Sequence, residues 1–343
     1  MDNRSKFWDT YGKFFLALAI VLSATSLIMN LVSRRLETVT EPAEPTASSE
    51  FWIDKEETNV INVLSAGAVM PCSDIQPEHV FSSLGSLVRN YDVAAVSMHT
   101  LIGSDSSRSF GEELIGQGFG MYGLAYPGAL AYGKEGIDKS MTFWNAQRVR
   151  TSGTHTSTDT SNLIRMSDYN GISVIYLSYT DLLDEELPEN ENYLVNVYDD
   201  EKTPQFVNEA ANMADLVIVS IVWEGEPGAL PNERQRAVAE ALADAGASII
   251  VGYADHAVQP VCWIDDTLVF YSLGDFYSEE TDVTERIGAL GAVTVTETIY
   301  GDKSRVELTN PKVDLVISVP DGEGHSDVNL LSRADDEQVE DRK

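Results

Sequence analysis

The sequence predicts a mixed α/β sandwich, with sheets covered by helices, and three observations predict it. From about residue 58 to residue 319, short β-branched runs ended by Gly, Ser or polar residues alternate with helix-like stretches. Strand, helix, strand in that order implies parallel pairing and right-handed crossovers. The runs 289–300 and 304–318 instead alternate apolar and polar residues around Gly301 and Asp302, the pattern of an antiparallel hairpin.

Taken in order, the chain first offers a short segment, 1–13, and then an uncharged run from Phe14 to Val32. That run is about the length that spans a hydrocarbon core of roughly 30 Å, so it reads as a single transmembrane anchor. Trp8, Tyr11, Phe14 and Phe15 suit one interface, with Lys13 snorkelling there and Arg34 and Arg35 at the other end. The charge balance favours a cytoplasmic amino terminus and an extracytoplasmic main domain in the cell membrane. The rival reading, a cleaved signal peptide, would need a shorter apolar core and a small-x-small cleavage site. Residues 33–57, rich in Pro, Glu, Thr and Ser, suit a solvated stalk.

Within the domain, the runs 60–70, 92–98, 172–180, 215–223, 248–254 and 267–276 read as buried strands. Between the fourth and fifth, residues 231–245 carry apolar side chains at helical spacing and end at Gly246, a suitable residue to follow a helix. In such architectures ligands gather at the carboxyl ends of strands. The acidic tail, 320–343, reads as disordered. The glycine-rich stretch Gly116–Gly120 lacks the lysine of a phosphate loop and reads as a connection.

Composition bounds the function. Asp and Glu number 55 against 23 Lys and Arg, a net charge of −32, while 43% of the 343 residues are hydrophobic. A core is therefore affordable, and a surface of this sign excludes nucleic acid as a partner. Any contact with an anionic polymer would need bridging cations or a basic partner protein. Of the two cysteines, Cys72 and Cys262, both would follow strands ending near one face. They can form a disulfide outside the cell or stay as buried thiols, and the sequence leaves both open.

The motifs carry a family resemblance. YSLGDF at 271–276 resembles YSLGNF, and GYADHAVQP at 252–260 resembles GHHPHVVQP, of the bacterial capsule synthesis family CapA or PgsA, associated with poly-γ-glutamate capsules and related to calcineurin-like metallophosphatases. GAVM at 67–70, YGKEGI at 132–137 and NGISVIYLSYT at 170–180 resemble further pieces in the same order. The resemblance implies a metallophosphatase-like sandwich and a role in capsule or surface-polymer biosynthesis or export, with synthase or export proteins as partners.

A site of that class holds two cations roughly 3.5–4 Å apart on Asp, Asn and His ligands. Here the resemblance places Ala68 at the Asp of GDVM, and Ser97 and His99 at Asn and Glu. Tyr126, Pro127 and Gly128 replace an Asn-Asn-His run, and Ala131 an Asp. Val222 replaces the His before Trp223, and Tyr253, Ala254 and Asp255 replace His-His-Pro. What remains to line a site is His256, Asp275 in place of Asn, Asp255, His99 and the loop acid Glu226. His256, Asp275 and His99 could hold a single divalent metal ion if they converge. Otherwise His256 and Asp275 brace the strand ends by hydrogen bonds. His155, in a hydroxyl-rich loop, is a further candidate for contact with a polar polymer or sugar.

Two functional classes follow: a membrane-anchored platform without hydrolysis and with no cofactor, or a divergent metal-dependent hydrolase of a phosphate ester or polymer amide bond. An acidic surface protein that shares only the fold is a third. No catalytic residue is assigned.

Overall fold

The computed structural model describes residues 56–71, 80–81, 83–103, 105–225, 230–254, 256–280, 282–301, 303–320 and 326–334. The anchor at 14–32, the stalk as far as residue 55, Cys72, Glu226 and Asp255 lie outside the described residues. Among the described residues no helix is long and apolar enough to cross a membrane.

The chain builds two sheets. It lays down four strands of the first, β1 (Glu57–Val69), β2 (Val93–Met98), β3 (Met121–Gly123) and β4 (Arg150–Ser152). Six strands of the second follow, β5 (Met166–Tyr169), β6 (Ile172–Thr180), β7 (Leu216–Val222), β8 (Ile249–Tyr253), β9 (Val261–Ile264) and β10 (Thr267–Phe270). The chain then returns to the first sheet with β11 (Asp275–Tyr277), β12 (Ile287–Tyr300), β13 (Lys303–Pro320) and β14 (Ser326–Leu330). The strand orders are β14-β13-β12-β1-β2-β3-β4, with β11 also on β1, and β5-β6-β7-β8-β10-β9. Pairs β1/β2, β2/β3, β6/β7 and β7/β8 are parallel, as the strand–helix alternation predicts, while β12/β13 is antiparallel. In the second sheet β5/β6 and β9/β10 are antiparallel, so both sheets are mixed.

Continuous burial along the central strands follows from cover on both faces. In β7 every residue is buried, and alternate side chains serve different cores. Leu216, Ile218 and Val222 join β1, β2 and β12 between the sheets. Val217, Val219 and Ile221 meet helices α3 (Lys202–Ala211) and α4 (Glu233–Asp244) on the other side. Helices α1 (Asp105–Gln117) and α2 (Gly133–Ala146) belong to the first sheet, where Trp144 packs on Tyr122 at 4.4 Å between ring centroids and Phe110 on Tyr277 at 5.0 Å. Helix α4 starts on a reciprocal cap, Asn232 with Gln235, and is followed by Gly246 at φ 98°, so both of its sequence-read limits hold within two residues.

Three expectations are corrected. The run 267–276 is not one strand: it leaves the second sheet after Phe270 and enters the first at Asp275. Gly274, at φ 58°, makes the change of direction between them. The tail is not wholly unstructured, because Ser326, Val328 and Leu330 alternate inward and β14 pairs with β13. Val328 is fully buried and its N–H donates to the Val80 carbonyl. Finally, Cys262 sits inside β9 rather than after a strand, and it is a free thiol.

Candidate functional site

Backbone register builds the site before any side chain does. Ala68 of β1 pairs with Ser97 of β2 on one side and with Asp275 of β11 on the other, so these three stand in a row across parallel strands. On the second sheet Val222 pairs with Tyr253. The Tyr253 hydroxyl donates to the Ala66 carbonyl at 3.2 Å, joining the two sheets beneath the cavity. Between these strand ends lies a cavity of about 440 Å³. Ala68, His99, Tyr126, Tyr253, His256 and Asp275 line it, and so do Asp184 and Glu224. It therefore occupies the carboxyl ends of β1, β2, β6, β7 and β8, where the sequence places a ligand site.

Of the sequence candidates, His99, His256 and Asp275 come together on this cavity. His256 lies in a turn at φ 55°, and its Nδ1 is hydrogen-bonded to Asp275 Oδ2 at 2.9 Å. The partners differ in exposure: the Asp275 side chain is 2% accessible and that of His256 40%. Asp275 thus forms part of the buried wall and His256 reaches toward solvent. Burial raises the Asp275 carboxyl above its usual range; the bond to His256 opposes this, and Glu285 and Glu280 add to it. His99 is turned to other company. Its Nε2 is hydrogen-bonded to Ser97 Oγ at 3.0 Å, its ring stacks on Tyr126 at 5.7 Å and meets the Tyr253 ring edge-on at 5.8 Å. Desolvation, with His256 nearby, lowers its pKa to about 3, so it is neutral at physiological pH.

These positions do not fit a two-cation centre. Ala68, Val222 and Ala254 carry no donor atom, and among the described residues no three His, Cys, Asp or Glu side chains converge as a metal site. Of the expected trio, which lines one cavity, His256 is hydrogen-bonded to Asp275 and His99 to Ser97. His155, the remaining candidate, lies elsewhere, with Nε2 bonded to Asn196 Oδ1 at 2.9 Å and its pKa lowered to about 4 by burial.

Sequence reasoning missed Asp184, which reaches the cavity because its N–H donates to the Pro127 carbonyl at 3.0 Å, folding the loop after β6 over the mouth. An acid shortly after a strand end was the available signal. Asp181, three residues earlier, anchors the same loop through two hydrogen bonds from Arg234, at 2.9 and 2.7 Å.

Fold and site together define a mixed α/β sandwich with a cavity at the carboxyl ends of its strands. Residues 57–280 match the family described as bacterial capsule synthesis protein PGA_cap, and the chain belongs to that family. It is 29% identical over 204 residues to the PGA biosynthesis protein CapA of Bacillus subtilis (strain 168), covering 59% of this chain and 53% of that protein. It is 29% identical over 203 residues to the capsule biosynthesis protein CapA of Bacillus anthracis, covering 56% and 47%. The chain spans about half the length of these curated relatives. Among solved structures, a phosphatase from Mycoplasma pneumoniae aligns with a TM-score of 0.49 at 13% identity, over 79% of this chain and 96% of that one.

Proposed function

We propose that this chain is a membrane-anchored, extracytoplasmic component of capsule or poly-γ-glutamate-type surface-polymer biosynthesis or export, which uses the fold as a binding platform with a degenerate metal site. The family and the printed names of the two Bacillus relatives support the capsule connection. The observation that carries the loss of hydrolysis is the cavity wall: Ala68, Val222, Tyr253 and Ala254 stand at strand ends where a dinuclear centre needs carboxylate and imidazole. Its partners are then the membrane and the synthase or export proteins of the polymer. With a net charge of −32, direct contact with an anionic polymer would run through bridging cations.

The test is the metal content of the full-length chain purified in detergent and dialysed against a weak chelator, with His256→Ala alongside. Metal-free, folded protein supports the platform. About one equivalent of zinc, manganese or iron that falls on substitution would overturn it in favour of a single-ion hydrolase acting on a phosphate ester or a polymer amide bond.

A further inference from the structure

Building on the metal-free reading, we propose that the strand-end cavity binds a small organic cation, an amine-bearing ligand whose ammonium group sits between Asp275 and Glu224 against the Tyr126 ring.

Size is the first argument. About 440 Å³ is within the range of roughly 300–1,000 Å³ found for small-molecule sites and far larger than a bare metal ion requires. Charge is the second. The described lining carries three carboxylates, Asp184, Glu224 and Asp275, and no lysine or arginine. A phosphate ester or a polyglutamate end would meet repulsion there, reinforced by the field of the whole chain.

The third argument is Asp275 itself. A carboxylate that is 2% exposed is costly to keep ionised without compensation. The groups facing it are His256, which is hydrogen-bonded to it, and Glu280 and Glu285, which carry the wrong sign. A neutral amide would satisfy the fold at lower cost. The acid adds negative charge at the one point where a bound ammonium would use it. The fourth is the wall. Tyr126 lines the cavity, and aromatic rings attract ammonium groups through the ring quadrupole. Ala68, Met70 and Val222 offer apolar surface to the alkyl part of the ligand.

The experiment is isothermal titration of the full-length protein at 0.15 M NaCl with tetramethylammonium, ethanolamine and putrescine as chlorides, against sodium acetate and inorganic phosphate. At least one amine is expected to bind saturably with a sub-millimolar Kd, and the anions are not. Asp275→Asn, which keeps the shape, is expected to weaken binding at least tenfold, and Glu224→Gln several-fold. Glu307→Gln, a remote exposed acid, should leave it unchanged and so exclude general attraction to an acidic surface. If Asp275→Asn does not fold, Glu224→Gln, at an exposed position, still decides. Absence of saturable binding, tighter binding of phosphate than of every amine, or equal affinity in all three variants would overturn the proposal. Failure with a metal-free protein removes this inference alone, whereas failure with stoichiometric metal present removes the platform reading with it.

Discussion

Gly288 is the residue through which fold and site are most directly coupled. It begins the stretch of β12 that passes β11 and forms an isolated bridge with Gly274. A Cβ at this position would lie 2.0 Å from the carbonyl oxygen of Asp275 and 2.5 Å from its carbonyl carbon. Those are backbone atoms of a buried strand, so the clash cannot be relieved by a side-chain rotation. Gly288→Ala should therefore cost about 1–3 kcal/mol, the usual range for overpacking, and near its upper end. For a domain of more than 150 residues that corresponds to a fall in Tm of roughly 2–12 °C. Thermal unfolding followed by circular dichroism reads the loss. The His256 imidazole resonances should shift in parallel, because displacing Asp275 disturbs the bond at 2.9 Å. Gly116→Ala is the control, since a Cβ there meets nothing within 4 Å and the position is helical. It should raise stability by about 0.5–1 kcal/mol. An unchanged Tm in Gly288→Ala would refute the reasoning that close passage of β12 sets the position of Asp275.

Other outcomes follow from burial and chemistry. His99 titrates near 3 when folded and near 6.5 when unfolded, so the unfolded chain takes up its proton first. The stability this group contributes is full above about pH 6.5 and is lost as pH falls toward 3. His99→Gln should flatten the dependence of the urea midpoint on pH between 6.5 and 4, leaving the share of His155, and an unaltered slope would refute this. Ending the chain after Val319 removes β14 and the fully buried Val328. Burial of that side chain alone contributes about 1.5–3 kcal/mol, so the urea midpoint should fall; a midpoint equal to that of the full chain would restore the disordered-tail reading. Cys262 should be alkylated by iodoacetamide without prior reduction, slowly in the folded state because burial raises its thiol pKa. Failure to label the denatured, unreduced chain at Cys262 would show it bonded.

The parts of the fold that the sequence makes legible are those whose pattern is local. β2, β6, β7 and β8, and β1 from Val63 onward, are buried on both faces and show as largely apolar runs, and α4 carries its own cap and its own glycine. β3 and β4 are three residues each, too short to carry a period, and they hold their places by pairing with β2 and with each other. The crossing between β10 and β11 is hidden because a run of apolar residues is the same signal in either sheet. Only the φ of Gly274, a property of the folded chain, marks the change. In the site, the resemblance brought His99, His256 and Asp275 to one cavity. It could not show that His99 would be bonded to Ser97 on its own strand side while His256 took Asp275, since that depends on which side of a row of paired strands each side chain leaves.

The frame of the site is held by backbone pairing and by hydrogen bonds from two buried side chains. The row of Ser97, Ala68 and Asp275 is fixed by backbone pairing. The sheets are tied by the Tyr253 hydroxyl on the Ala66 carbonyl, and Trp223 is fixed by its indole N–H on the Tyr271 carbonyl at 2.9 Å. β12, which lies beyond the family match at 57–280, pairs with β1 from Glu57 to Ala66 and supplies Gly288. Strand ends positioned in this way owe their geometry to backbone pairing and to a few buried side chains, Tyr253 and Trp223 among them. The cavity between those strand ends takes its charge from Asp184, Glu224 and Asp275 and much of its remaining wall from tyrosine, alanine and valine.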